Sequence, residues 1–340
     1  MHHWVYAMAP RFVLSEHDQP WTEDQVAKAI AFDFQHAKRE IDATHGGRIW
    51  AALNEVKDSH WILDQAIDDL LEGINRFAHR SQYQVFWSRV NANNREEYTK
   101  NVKRFLFNAS SALAALVDHT RNFLRSYPVP GEPEARSMAF KDDNLHRFLF
   151  DLRNYSLHWK PAQANWNIAT SAGETGVSRT VAFLLSKDEL AEWSHWKSEA
   201  KVFLDSQPER VDVRELFIEY QLRASKFHSW LQTAAIITHY TNIRQYLEYK
   251  KWHDRFHELW TWNAVAAYRD IKRDPYELLR DYLSPREIEH IYSLELKSDE
   301  QINRLIDLVD LDQAVDGPLR ARLQEFLRQT PRSSSGEEAG

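Results

Sequence analysis

Apolar positions recur every three to four residues along most of this chain, the spacing that turns one side of an α-helix toward a core. Thr22 followed by Gln25 has the form of a capping box, so a first helix is expected from there to Gly46-Gly47, where paired glycines favour a stop. A second run, about Arg48 to Arg80, carries Ile49, Leu53, Val56, Ile62, Ile67, Leu70 and Leu71, with Asp58-Ser59-His60 as its weak point. A third, Arg95 to Tyr127 behind an Asn94 cap, aligns Val102, Phe105, Leu106, Ala109, Leu113 and Leu116. The proline-rich stretch from Tyr127 to Pro133 then predicts a loop.

Beyond Lys160 the period drops to two. Trp166, Ile168 and Thr170 alternate with polar neighbours, Ser171 to Gly176 supplies turn residues, and Arg179, Val181, Phe183 and Leu185 alternate again. This predicts an antiparallel hairpin over about 165–186. Helices are expected again over Lys187–Asp205 and Asp212–Trp252, and from Trp260 short helical stretches are punctuated by Pro275, Ser284-Pro285 and Gly317-Pro318. The expected fold class is therefore mainly α. It comprises an irregular segment 1–21, a helical bundle over 22–259 with the small β-hairpin inserted, a helical C-terminal appendage over 260–330, and a disordered polar tail 331–340.

Composition narrows the chemistry. With 340 residues the chain can bury one large core or two ordinary ones. The 13 Trp point to thick helix–helix contacts more readily than to a ligand. The lack of Cys excludes disulfides, thiolate zinc sites and a cysteine nucleophile. No Gly-rich phosphate loop or nucleophile elbow is present, so P-loop, dinucleotide and serine-hydrolase chemistry find no support. Glu287 and His290 have the Glu-x-x-His spacing of di-iron bundles, but they begin a short helix after Pro285, so no metal or other cofactor is expected. The first residues hold no basic segment followed by an apolar run, and no stretch of about 18 apolar residues occurs, so a soluble, cytoplasmic protein without membrane contact is expected. A net charge of −7 confines any nucleic-acid footprint to local basic groups, of which Lys100, Lys103, Arg104, Arg121 and Arg125 share one expected helix.

The stretch Asn144 to Lys160, NLHRFLFDLRNYSLHWK, carries the most chemistry. With about 100° per residue and Arg153 at the origin, Asn154 lies at about 100° and His158 at about 140°. Phe148, Leu152, Tyr155 and Trp159 gather about 240° and form the expected core stripe. Phe150 and Leu157 stand between Arg153 and Asn154, which makes the polar side too apolar for a freely solvated face and suggests a cleft or a subunit interface. Arg11 with His17, Arg39 with His45 and Arg223 with His228 have comparable spacing. Arg153 and His158 differ from these by the Asn directly after the Arg, by their place deep in an apolar helix, and by Pro161 just beyond.

The run R-N-Y-S-L-H at 153–158 resembles the HEPN family of helical ribonucleases, whose signature is Arg, usually a polar residue, and a His after four to six intervening positions. The resemblance covers this helix and the long helices beside it. It implies a HEPN-like bundle and metal-independent cleavage of single-stranded RNA through attack of the ribose 2′-OH, as in toxins and phage-defence effectors. In that reading the catalytic residues are Arg153, Asn154 and His158: His158 moves protons, Arg153 holds the phosphoryl oxygens, and Asn154 orients His158 or the phosphate. It also implies RNA as substrate, a homodimer that assembles the site from two helices, and an antitoxin or sensor protein as partner. The sequence departs from one toxin branch, where His-x-Tyr stands in place of His158-Trp159-Lys160. The competing expectation is a non-catalytic helical interaction or regulatory protein, with Asp151 paired to Arg147 or Arg153 and His158 bonded to Asn154.

Overall fold

The computed structural model describes residues 12–141, 144–162, 164–173, 176–267, 274–310 and 314–329. Most of the irregular N-terminal segment (1–11) and the whole of the expected tail (331–340) lie outside the described residues. In chain order the helices are α1 Glu23–Phe32, α2 Phe34–Asp42, α3 His45–Ser81, α4 Ala92–Ser126, α5 Glu132–Phe140 and α6 Asn144–His158. Strands β1 Ala164–Gly173 and β2 Gly176–Ser186 follow, then α7 Lys187–Ala191, α8 Ser198–Ser206, β3 Arg210–Asp212, α9 Val213–Thr238 and α10 Tyr240–Ala267. Helices α11 Pro285–Tyr292, α12 Asp299–Val309 and α13 Gly317–Arg328 complete the described chain. The protein is mainly α, as its periodicity predicts, and no described helix is long and apolar enough to cross a membrane.

Two compact units form, one from residues 49–240 and one that joins residues up to 48 with those from 241 onward. Residues 22–48 and 241–259, expected in one bundle with the middle of the chain, thus group with the C-terminal helices. In this second unit Trp21 donates its backbone N–H to the Tyr249 hydroxyl at 2.8 Å, and the Tyr246 hydroxyl donates to Asp42 at 3.2 Å. Ile291, Ile302, Leu305, Ile306, Leu319 and Leu323 build its C-terminal core. Ser284 and Glu287 form a reciprocal capping box on α11, which occupies the Glu287 carboxylate in a structural role.

The expected stop at Gly46-Gly47 moves to Asp33. There an extended residue ends α1 and its carboxylate accepts from His36 N–H to begin α2. Gly46 and Gly47 instead lie in the first turn of α3, where the Thr44 hydroxyl accepts from Gly47 N–H at 3.1 Å. The reason for a glycine here is contact: a Cβ at Gly46 would come 2.0 Å from the Asn242 carbonyl oxygen. That oxygen is backbone and cannot swing away, so Gly46→Ala is expected to cost about 1–3 kcal/mol. Denaturant unfolding of the variant checks this, and an unchanged midpoint would refute the close approach.

The first unit is built on α3, which runs unbroken through Asp58-Ser59-His60, and on α4, which starts at Ala92 rather than at Arg95. The hairpin falls where period two places it. β1 pairs antiparallel with β2 in a register that sets Trp166 against Phe183, and β3 adds a third strand at Leu184–Ser186. Trp166 stacks on Phe77 of α3 at 3.7 Å and donates to Thr99 of α4 at 2.9 Å, so the sheet is anchored to the helices by one indole. The helix expected over Lys187–Asp205 is divided into α7 and α8, and the one expected over Asp212–Trp252 divides at His239 into α9 and α10.

Candidate functional site

Helix α6 buries one side as its spacing demands. Leu145, Phe148, Leu149, Leu152 and Tyr155 are all buried, on an arc centred at about 260° in the frame where Arg153 is the origin. Aromatic rings hold this side: Phe148 stacks on Trp196 at 5.4 Å and meets Phe203 at 5.0 Å, while Tyr155 stacks on Trp196 at 5.9 Å. Several tryptophans thus serve helix packing, as their number suggests. Trp159 departs from the expected core stripe and is 57% exposed, because the helix ends at His158 and the chain leaves the stripe there. The Lys160 N–H still reaches back to the Tyr155 carbonyl at 3.3 Å, and the Lys160 ammonium pairs with Glu192 at 2.7 Å, which ties down the exit before Pro161.

The other side is open. Arg153 and Asn154 are half-buried, Leu157 is 43% exposed, and His158 is exposed. Arg153 donates from Nη1 to Asn154 Oδ1 at 3.1 Å, so the Asn that follows the Arg aims the guanidinium rather than the imidazole. Arg153 Nε is shielded from solvent and has no hydrogen-bond partner among the described residues. His158 makes no hydrogen bond or ion pair to any described residue. Five residues separate the pair by about 7.5 Å along the helix axis, so neither group satisfies the other and both remain available to a third group.

A polar ridge runs beside this face. Arg147, Asp151, Asn154 and His158 follow one another at spacings of four, three and four, all between about 100° and 160°. Asp151 is buried and accepts from the Lys197 N–H at 2.9 Å, so its carboxylate sits at the start of α8. Burial pushes its carboxyl above the usual range, against the Lys197 N–H and the nearby Arg147 guanidinium, which favour the charged form. Neither contact of the expected structural cluster forms among the described residues: Asp151 makes no ion pair with Arg147 or Arg153 and is held by the Lys197 N–H, and His158 makes no hydrogen bond to Asn154. From α4, Arg121 lays its guanidinium over the Phe150 ring at 5.7 Å and brings a further cation to the open face. Arg121 also pairs with Asp118 at 3.7 Å, while Lys100 pairs with Glu96 at 2.7 Å and Arg104 rests on Phe105. Sequence reasoning treats Arg147 only as a partner for Asp151; the four-three-four ridge is the signal that marks it as a group of this face.

The same spacing on α9 has a different fate. Arg223 pairs with Glu219 at 2.7 Å and donates to the Phe140 carbonyl at 3.1 Å. His228 is 4% exposed, stacks on His60 of α3 at 5.0 Å, and its Nδ1 has no hydrogen-bond partner among the described residues. Burial, with His60 and His146 nearby, holds His228 down to about 3. This Arg–His pair is interior and its members serve separate structural tasks. Of the two pairs compared, only Arg153 and His158 lie on an open face. No family model matches the chain, and neither does any curated protein or solved structure.

Proposed function

We propose that this chain is a metal-independent endoribonuclease acting on single-stranded RNA, with Arg153, Asn154 and His158 as its working group. The observation that carries this reading is an exposed, unengaged imidazole beside a half-buried guanidinium already aimed by an amide. A neutral imidazole can take the 2′-hydroxyl proton, and a protonated one can give a proton to the departing 5′-oxygen. As the 2′-oxygen attacks phosphorus and the P–O5′ bond breaks, charge builds on the phosphoryl oxygens, and the guanidinium fork is suited to hold it. The products are a 2′,3′-cyclic phosphate and a 5′-hydroxyl. Arg147 on α6 and Arg121 of α4, which rests on Phe150 of α6, would hold flanking phosphates and supply the local basic footprint that an acidic chain needs to bind RNA.

A proton must be taken and another given, and among the described residues one such histidine lies on this face. A second copy supplies the complement, and the exposed pair Leu157 and Trp159 beside His158 is the apolar surface on which it would sit. Sedimentation at micromolar concentration is expected to give a dimer for the wild type and a monomer for Leu157→Glu that still unfolds cooperatively; a wild type that stays monomeric while cleaving would remove the shared site. A non-catalytic interaction role draws on the same exposed pair and predicts RNA or protein binding without cleavage. The separating experiment uses a single-stranded RNA and its 2′-O-methyl counterpart. The ribonuclease reading requires cleavage of the first and none of the second, and cleavage of both would exclude 2′-OH attack.

A further inference from the structure

A cavity of about 650 Å³ opens where the C-terminal end of α3, the two 3-10 turns Gln84–Trp87 and Arg89–Asn91, and the first turns of α4 meet. Its size falls within the roughly 300–1,000 Å³ of small-ligand sites. One wall is a stripe of α4, where Asn94, Glu97, Tyr98 and Asn101 share an arc of about 100°. Asparagine is a poor helix former, so helix stability does not account for its presence here. Tyr98 is held as a wall by Phe77 at 6.5 Å and Phe86 at 6.0 Å, and Arg80 and the half-exposed Tyr83 close the cavity from the α3 side.

Asn91 is committed to the turn. Its Nδ2 donates to the Val85 carbonyl at 2.7 Å and its Oδ1 accepts from Asn94 at 3.0 Å. Asn94 keeps its Oδ1, while Arg80, Glu97 and Asn101 make no side-chain hydrogen bond or ion pair with any described residue. The cavity thus presents a cation, a carboxylate, amides and phenol rings, all with unfilled capacity. Such a set matches one kind of molecule well. Guanine carries two adjacent donors, N1–H and the N2 amine, which suit an ionised carboxylate that only accepts. Its O6 and N7 acceptors suit an amide donor such as Asn101, and its ring suits a tyrosine face. A phosphate suits Arg80. Adenine and cytosine each turn a ring acceptor, N1 or N3, toward the position where guanine has its N1–H donor, so Glu97 would repel them.

We infer that this cavity binds a guanine nucleotide, with Glu97 reading the base and Arg80 holding the phosphate. Neither Arg153 nor His158 takes part, so failure here and failure of the ribonuclease reading are separately visible. Calorimetric titration of the full chain with GMP, guanosine and AMP tests it. Saturable GMP binding is expected, with AMP at least about tenfold weaker. Arg80→Ala should bring GMP down to the level of guanosine, and Glu97→Gln should abolish the preference over AMP, both with unaltered melting since these side chains are exposed. An oligouridylate with one central guanosine supplies the second arm. Its competition with GMP assigns the cavity to an unpaired base of RNA, and GMP binding without competition assigns it to the free nucleotide. Absence of saturable GMP binding at millimolar concentration, equal binding of AMP, or a preference that survives Glu97→Gln overturns the inference.

Discussion

Replacing His158 by Gln is expected to slow RNA cleavage by roughly 10²–10⁴ while the protein melts as the wild type does. Glutamine keeps one donor and one acceptor at similar reach, so a histidine with a structural role tolerates it, whereas a proton carrier does not. The exposure of His158 and its lack of described partners leave little for the fold to lose. Arg153→Lys should also slow cleavage, because an ammonium has no bidentate fork, and Asn154→Ala should slow it less by freeing the guanidinium from its 3.1 Å anchor. The assay is initial rate on a labelled single strand, with thermal melts of each variant alongside. Full activity in His158→Gln would sink the assignment of the proton-transfer role.

Acid should unfold the first unit through His228. Its folded value is about 3 against an ordinary 6.5, so between those pH values the unfolded chain takes up a proton that the folded chain refuses. Stability contributed by the neutral imidazole is complete above about pH 6.5 and is lost progressively as pH falls toward 3. With about 1.4 kcal/mol for each tenfold difference in proton affinity between the folded and unfolded chain, the loss approaches roughly 4–5 kcal/mol, a large part of a typical 5–15 kcal/mol total. His60, stacked on the ring and itself 3.7 Å from Asp64, and His146, bonded to the Tyr220 hydroxyl, face the same interior. His228→Leu removes the buried Nδ1 and should flatten the acid limb of the stability curve. Urea midpoints across pH 4 to 7 measure it, and a wild-type curve as flat as the variant's would contradict the burial argument.

Much of the fold could be read from period alone, because burial enforces it. The α6 stripe of Phe148, Leu152 and Tyr155 and the β1–β2 hairpin both repeat a spacing that only one backbone satisfies. Thr22 and Gln25 announced α1 because a capping box is satisfied by neighbours in sequence. Gly46 misled, since a helix stop and a close backbone approach call for the same residue and the approach is made by Asn242, far away in the chain. Trp159 misled because the wheel extends only as far as the helix, which ends one residue earlier. At the site, the face shared by Arg153, Asn154 and His158 was legible from angular spacing. Its surroundings were not: the hold of Lys197 on Asp151 spans 46 residues, and the Arg121 contact with Phe150 joins two helices. The α4 cavity was also hidden, since its polar stripe acquires a meaning only once the end of α3 is folded against it.

The most direct measurement is the end chemistry of RNA fragments formed in excess chelator. Mass spectrometry of a single-stranded substrate treated with the wild type is predicted to show 2′,3′-cyclic phosphate and 5′-hydroxyl ends, formed by His158→Gln at least about a hundredfold more slowly. Intact RNA with the wild type, cleavage that appears only with a divalent metal, or the same ends formed by His158→Gln at the wild-type rate would contradict the account.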